Sequence, residues 1–165
     1  MPQTSDIAVT LSRSRESDVT ETTDVYGPID FVLIEFQGKN LQGKAAEALL
    51  ELVDAGIVSI FDILVISKEA DGTFAGVEIK DLDADHVGSF SSFVGASSGL
   101  LGDDDIAEAA GAMEPGTVAV LIVYENVWAR RFVAAAREAG GQMIASARIP
   151  AQTVMEVLDA ADAAN

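Results

Sequence analysis

Cysteine is absent from the 165-residue chain, and histidine occurs once, at His86. Without cysteine there is no disulfide, no thiolate nucleophile and no sulfur-ligated metal, a composition that suits a reducing cytoplasm. With one histidine, a metal site built from several imidazoles cannot form within one chain, and a Ser/His/Asp triad has a single candidate base. Positive charge is scarce too. Lys and Arg number 10 against 27 Asp and Glu, a formal net charge of −17 at pH 7. Nucleic acid is therefore not an expected partner, because a phosphate backbone must be met by clustered cations. An anionic membrane surface is disfavoured for the same reason. No uninterrupted apolar run approaches the ~20 residues of a membrane span. Residues 1–24 lack the basic and apolar regions of a signal peptide. No phosphate-cradling G-x-x-x-x-G-K-[ST] or dinucleotide motif is present.

What remains is a globular composition. Hydrophobic residues make up 49% and charged residues 22%, which at this length predicts one domain with a real core. Residues 1–25, rich in Ser, Thr, Asp and Glu, are expected to be a disordered acidic tail. Residues 26–165 are expected to form a single α+β domain.

The strongest pattern lies in residues 114–150. Pro115-Gly116 is turn chemistry. Residues 118–124 are apolar at every position, as in a strand buried on both faces. Asn126 is placed to cap a helix, with Trp128, Phe132, Ala135, Ala136 and Ala139 on one stripe turned to the core. Gly140-Gly141 ends that helix. Residues 142–148 then read as a second strand, so that strand, helix and strand form a parallel crossover. Upstream, residues 31–36 read as a strand. A helix over 44–54 carries Ala46, Leu49, Leu50 and Val53. Strands at 60–68 and 74–80 are joined by a hairpin turn at Asp71-Gly72. Residues 150–163 predict a last helix with Val154, Val157, Leu158 and Ala161 facing inward. The element order suggests one mixed sheet with helices mainly on one face.

Residues 87–102 carry no charge and hold four glycines and five serines. Gly88, Ser92, Gly95 and Gly99 would share one face if the segment were helical, and such a stripe lets another backbone approach closely. The plainer reading is a glycine-rich loop or broken helix packed over the sheet. Asp103-Asp104-Asp105 then opens a helix, with Asp105 and Glu108 spaced as a capping box.

Three blocks are familiar together: YGPIDFVLIEF, SSGLLGDDDIAEAAGAMEPGTVAVLIVYENVWA and RIPAQTVMEVL. With them the chain resembles an uncharacterised actinobacterial family of unknown function over about residues 26–160. That family is itself distantly similar to an uncharacterised glycine-rich family labelled as membrane or stress proteins. The resemblance implies a ferredoxin-like fold. It brings no established activity and no catalytic residues to carry over.

Few residues offer chemistry. Asp81, Asp83 and Asp85 imitate the start of a calcium loop. However, His86 stands where that loop needs glycine and Ser92 where it needs glutamate, so no metal site is assigned. Glu35 and Glu125, at buried strands, could line a polar pocket with Arg148 and His86. A carboxylate there, raised in pKa by burial, would serve as acid or base. The opposing reading is a paired structural glutamate or an edge residue facing water.

The residues therefore favour a non-enzymatic, cytoplasmic domain without cofactor, working as a homo-oligomer or with a protein partner. The self-association face would be Gly88, Ser92, Gly95 and Gly99. The rival is a small-ligand-binding protein or carboxylate enzyme using Glu35, Glu125, Arg148 and His86.

Overall fold

A computed structural model describes residues 26–37, 41, 44–82 and 88–163. Four strands form one sheet: β1 (Ile29–Phe36), β2 (Val58–Lys68), β3 (Phe74–Glu78) and β4 (Thr117–Asn126). The helices are α1 (Ala45–Asp54), α2 (Asp103–Ala112), α3 (Arg130–Glu138) and α4 (Ala151–Ala163). Two compact units are distinguished, Met1–Ala134 and Ala135–Asn165. The acidic tail expected over residues 1–25 lies outside the described residues, as do Asp83, Asp85 and His86.

The first unit holds the sheet, in the order β1-β4-β2-β3. Every neighbouring pair is antiparallel, so the expected mixed sheet is corrected. Since β1 and β2 both run against β4, they are parallel to each other with β4 between them, and α1 joins them. In the same way α2 joins β3 and β4 around β2. This is an α+β fold, but the ferredoxin βαββαβ topology implied by the resemblance is not shown: β1 takes an edge, and β4 and β2 fill the centre. With β1 on one side and β2 on the other, β4 has no open ladder for the parallel partner expected at 142–148.

Side chains alternate across the sheet, and both faces are covered. One face carries Val118, Val120, Ile122, Ile63 and Val65, packed with Ala46, Phe90 and Phe93. The other carries Ala119, Leu121 and Ile66, packed with Ala109 and Ala110 of α2 and with Met113 just beyond it. The unbroken apolar run of β4 requires cover on both sides, so helices lie on both faces rather than mainly on one. Gly76 lets α2 approach β3. A Cβ there would sit 2.7 Å from Ile106 Cδ1.

Local chemistry sets the ends of α2. Gly102 is its cap, and its N–H donates to Asp105 Oδ2 at 2.8 Å. Asp105 is thus the third helical residue and not the cap. At the other end the Lys68 ammonium donates to the carbonyls of Ala110 and Met113, both at 2.8 Å, where orphaned acceptors and the negative end of the helix dipole favour a cation. The Asp71-Gly72 hairpin forms as expected. Asp71 Oδ1 accepts from the Thr73 N–H at 2.9 Å and hydroxyl at 2.6 Å, and these bonds hold the Asp71 carboxyl below its usual value.

The uncharged segment is not a continuous helix. A 3-10 turn spans Gly88–Phe93, and Gly95 then takes φ +100°, which breaks any helical path. Gly88, Ser92, Gly95 and Gly99 therefore share no helical face. Phe90 and Phe93 fill the core instead, and the plainer reading of a broken helix over the sheet describes the segment.

In the second unit, Gly140 takes the left-handed conformation and its N–H donates to the Arg137 carbonyl at 2.8 Å, the expected stop for α3. Residues 141–150 form no strand, so the parallel crossover is corrected. The apolar run there is short, and Ile144 is exposed. In α4 Val154, Val157 and Leu158 find no cover within the second unit. Among the described residues no helix is long and apolar enough to cross a membrane.

Candidate functional site

The β1–β4 register sets Ile29 opposite Glu125, bringing the segment that starts at Tyr26 onto the end of β4. There the Glu125 side chain is wholly excluded from solvent while that of Arg130 is 42% exposed. Arg130 donates from Nε and Nη2 to the two Glu125 oxygens, each at 2.6 Å, and the Gly27 N–H donates to Glu125 Oε1 as well. A bidentate guanidinium and a backbone donor satisfy a buried carboxylate that would otherwise be costly. The Arg130 hydrogen bonds hold the Glu125 carboxyl below its usual value, outweighing burial, which acts the other way, and the Gly27 N–H adds to the lowering. Arg130 also lies over the Tyr26 ring, 5.9 Å from its centroid, and Tyr26 meets Phe61 edge to face at 5.6 Å. Gly27 has no room for a side chain: a Cβ would overlap the Asn126 carbonyl oxygen.

Asn126 joins the two segments a second time. Its backbone N–H donates to the Pro28 carbonyl at 2.8 Å. Its Nδ2 donates to the same carbonyl at 3.1 Å and to Asp30 Oδ2 at 2.8 Å. It does not cap α3 as expected, because the 3-10 turn Val127–Ala129 comes between. Its Oδ1 instead accepts from the Trp128 indole at 3.2 Å.

That bond helps to hold Trp128 where it stands open to solvent. Trp128 is 67% exposed and Phe132, four residues on, 73%, so the apolar stripe expected to face the core does not bury its two aromatics. The Trp128 N–H donates to the Ile57 carbonyl at 3.3 Å, and the Ile57 N–H donates to the Leu52 carbonyl at 3.0 Å. Leu52 and Ile57 are themselves exposed. A chain of backbone bonds thus gathers Leu52, Ile57 and Trp128 at one end of the sheet, with Phe132 following on α3.

Of the four expected pocket residues, Glu35 and Glu125 are held apart. Glu35 pairs with Ala119 at the opposite end of the ladder from Glu125, roughly 20 Å along β1 at the usual strand rise. There its Oε1 accepts from the Glu114 N–H and the Thr117 hydroxyl, both at 2.7 Å, and braces the Pro115-Gly116 turn. Arg148 is in the irregular stretch of the second unit, and His86 lies outside the described residues. Glu125, arginine-bound and depressed in pKa, is the reverse of a carboxylate raised by burial. Among the described residues no three His, Cys, Asp or Glu are placed to hold a metal.

Asp62 is a buried acid that no sequence motif marks, beside the bulge between Ile60 and Asp62 in β2. It accepts from the Ser98 N–H at 2.6 Å, the Ser98 hydroxyl and the Leu100 N–H at 2.8 Å. Its one local signal is an aspartate inside an apolar strand, and its partners lie 36 and 38 residues away.

The model of a family of unknown function, DUF6325, matches residues 25–164. The chain belongs to DUF6325. The match takes in both halves of the Gly27–Glu125–Arg130 lock and the Leu52–Ile57–Trp128 surface. For this DUF6325 chain, neither the curated proteins nor the solved structures yield a match.

Proposed function

We propose that the chain is a non-enzymatic, cytoplasmic domain that works by binding protein, through the surface formed by Leu52, Ile57, Trp128 and Phe132. One observation carries this reading: two aromatic side chains stand in solvent, Trp128 tied by its indole N–H to Asn126 and Phe132 one turn further on. Gathered exposed apolar groups of this kind mark interaction surfaces, and Trp is among the residues enriched where binding energy concentrates. Rigid mounting lowers the ordering cost of binding. The self-association face suggested by the glycine and serine stripe is replaced by this one. The rival, a ligand pocket or carboxylate enzyme around Glu35 and Glu125, has its two acids at opposite ends of the sheet and each already engaged.

The test is site-specific photocrosslinking in cells. A photoreactive phenylalanine analogue at position 132 should yield a protein adduct, and the same group at the exposed Asp104 on α2 should not. Absence of any adduct from position 132, or equal labelling from both, would defeat the proposal.

A further inference from the structure

The apolar surface proposed as the binding face has opposite charge on its two flanks, and the choice of partner drawn from those charges rests on that reading. On one flank α1 carries Glu47, Glu51 and Asp54 and no base. Glu51 and Asp54 are exposed on either side of Leu52. On the other flank Arg130 and Arg131 stand immediately before Phe132, and Arg131 is exposed. Within the first unit α3 begins with Arg130, which is bound to Glu125, and Arg131, whereas α1 and α2 contain acids and no base. Along the path of backbone bonds from Leu52 through Ile57 to Trp128 the order is therefore acid at Glu51 and Asp54, apolar at Leu52, Ile57 and Trp128, and base at Arg131.

An order of acid, apolar and base is complementary to itself when turned about its centre. We infer that this face pairs with the same face of a second copy about a two-fold axis. The pairing sets Arg131 of each copy against Glu51 and Asp54 of the other and closes the Trp128 side chains from water. Each contact then forms twice, as a two-fold interface requires. The charge matching also says why this face and not another. Two chains of net charge −17 repel through most of their surface, and Arg131 brings an exposed cation to the contact. Like charges set face to face discriminate strongly against a pairing.

Sedimentation velocity on the full chain over a concentration series tests this. The wild type should pass from monomer to dimer. Arg131→Glu should raise the dissociation constant about tenfold or more, and Glu51→Arg with Asp54→Arg should do the same. An equimolar mixture of the two variants should dimerise again, because each face then meets its opposite charge. Only folded chains can show that recovery. A wild type that stays monomeric throughout overturns the inference, as does a dimer indifferent to Arg131→Glu or a mixture that does not recover. A monomeric wild type that still crosslinks to a different protein from position 132 in cells would leave the binding face standing and remove only the second copy as its occupant.

Discussion

Arg130 and Glu125 are joined by two hydrogen bonds of 2.6 Å, with the carboxylate sealed from solvent and the guanidinium reaching it. The pair is therefore unequal. Arg130→Ala leaves Glu125 charged, buried and short of its main partner, which destabilises the fold because the stranded carboxylate has lost its counter-charge. Glu125→Gln keeps an oxygen for the Gly27 N–H and leaves Arg130 able to turn to water. Chemical denaturation should therefore rank Arg130→Ala as the less stable variant. The reverse order would mean that the carboxylate finds water when its partner is removed.

The same pair sets an acid dependence. The folded Glu125 carboxyl lies below its ordinary value of 4.5, so the folded state binds its proton less readily than the unfolded state does. Its contribution to stability is present above the ordinary value and is lost as pH falls through the folded value. The stability gap between wild type and Glu125→Gln should narrow as the solution is taken below the ordinary carboxylate range. A gap that stays constant to strong acid would show that the charge contributes nothing.

Gly76 predicts a steric pairing. In Gly76→Ala the new Cβ meets Ile106 Cδ1 at 2.7 Å and Cγ2 at 3.0 Å, and a β-branched side chain cannot swing away freely. Overpacking of this kind costs about 1–3 kcal/mol. Adding Ile106→Val removes the nearest atom, so the double variant should regain part of the loss in thermal melts. Simple additivity of the two changes would deny the contact.

The elements were legible where residue type alone decides them. The apolar run of β4, the Asp71-Gly72 turn, the three aspartates opening α2 and the Gly140 stop all stand within a residue or two of expectation. The arrangement was not. A central strand shows that it needs two neighbours but not which two, so a parallel partner at 142–148 was as consistent with the β4 pattern as β1 and β2 are. Trp128 and Phe132 fit a core stripe by spacing, and nothing local reveals that the stripe leaves its aromatics in water. The lock was half visible: Glu125 could be read as a paired structural acid, but Gly27 and Glu125 meet across 98 residues, beyond the reach of any local pattern.

Asp62 supplies a prediction for the loop it holds. Its two oxygens accept from Ser98 N–H, Ser98 hydroxyl and Leu100 N–H, and an amide offers only one acceptor oxygen. Asp62→Asn should leave one of these donors without its partner, for a loss of about 1–3 kcal/mol. Hydrogen exchange at the Ser98 and Leu100 amides should quicken more than at the centre of β4. Unchanged protection at both amides would show that the loop is held by other contacts.

Trp128 is the only tryptophan in the chain, so its emission reports directly on the proposed binding surface. The most direct measurement is the emission spectrum and acrylamide quenching of the full protein as its concentration is raised. A red-shifted, readily quenched indole is expected in dilute solution, turning blue-shifted and protected as copies associate, with the change abolished by Arg131→Glu. An indole that is already blue-shifted and protected at the lowest concentration, in a chain that sediments as a monomer, would contradict a solvent-held Trp128 and the binding face built on it.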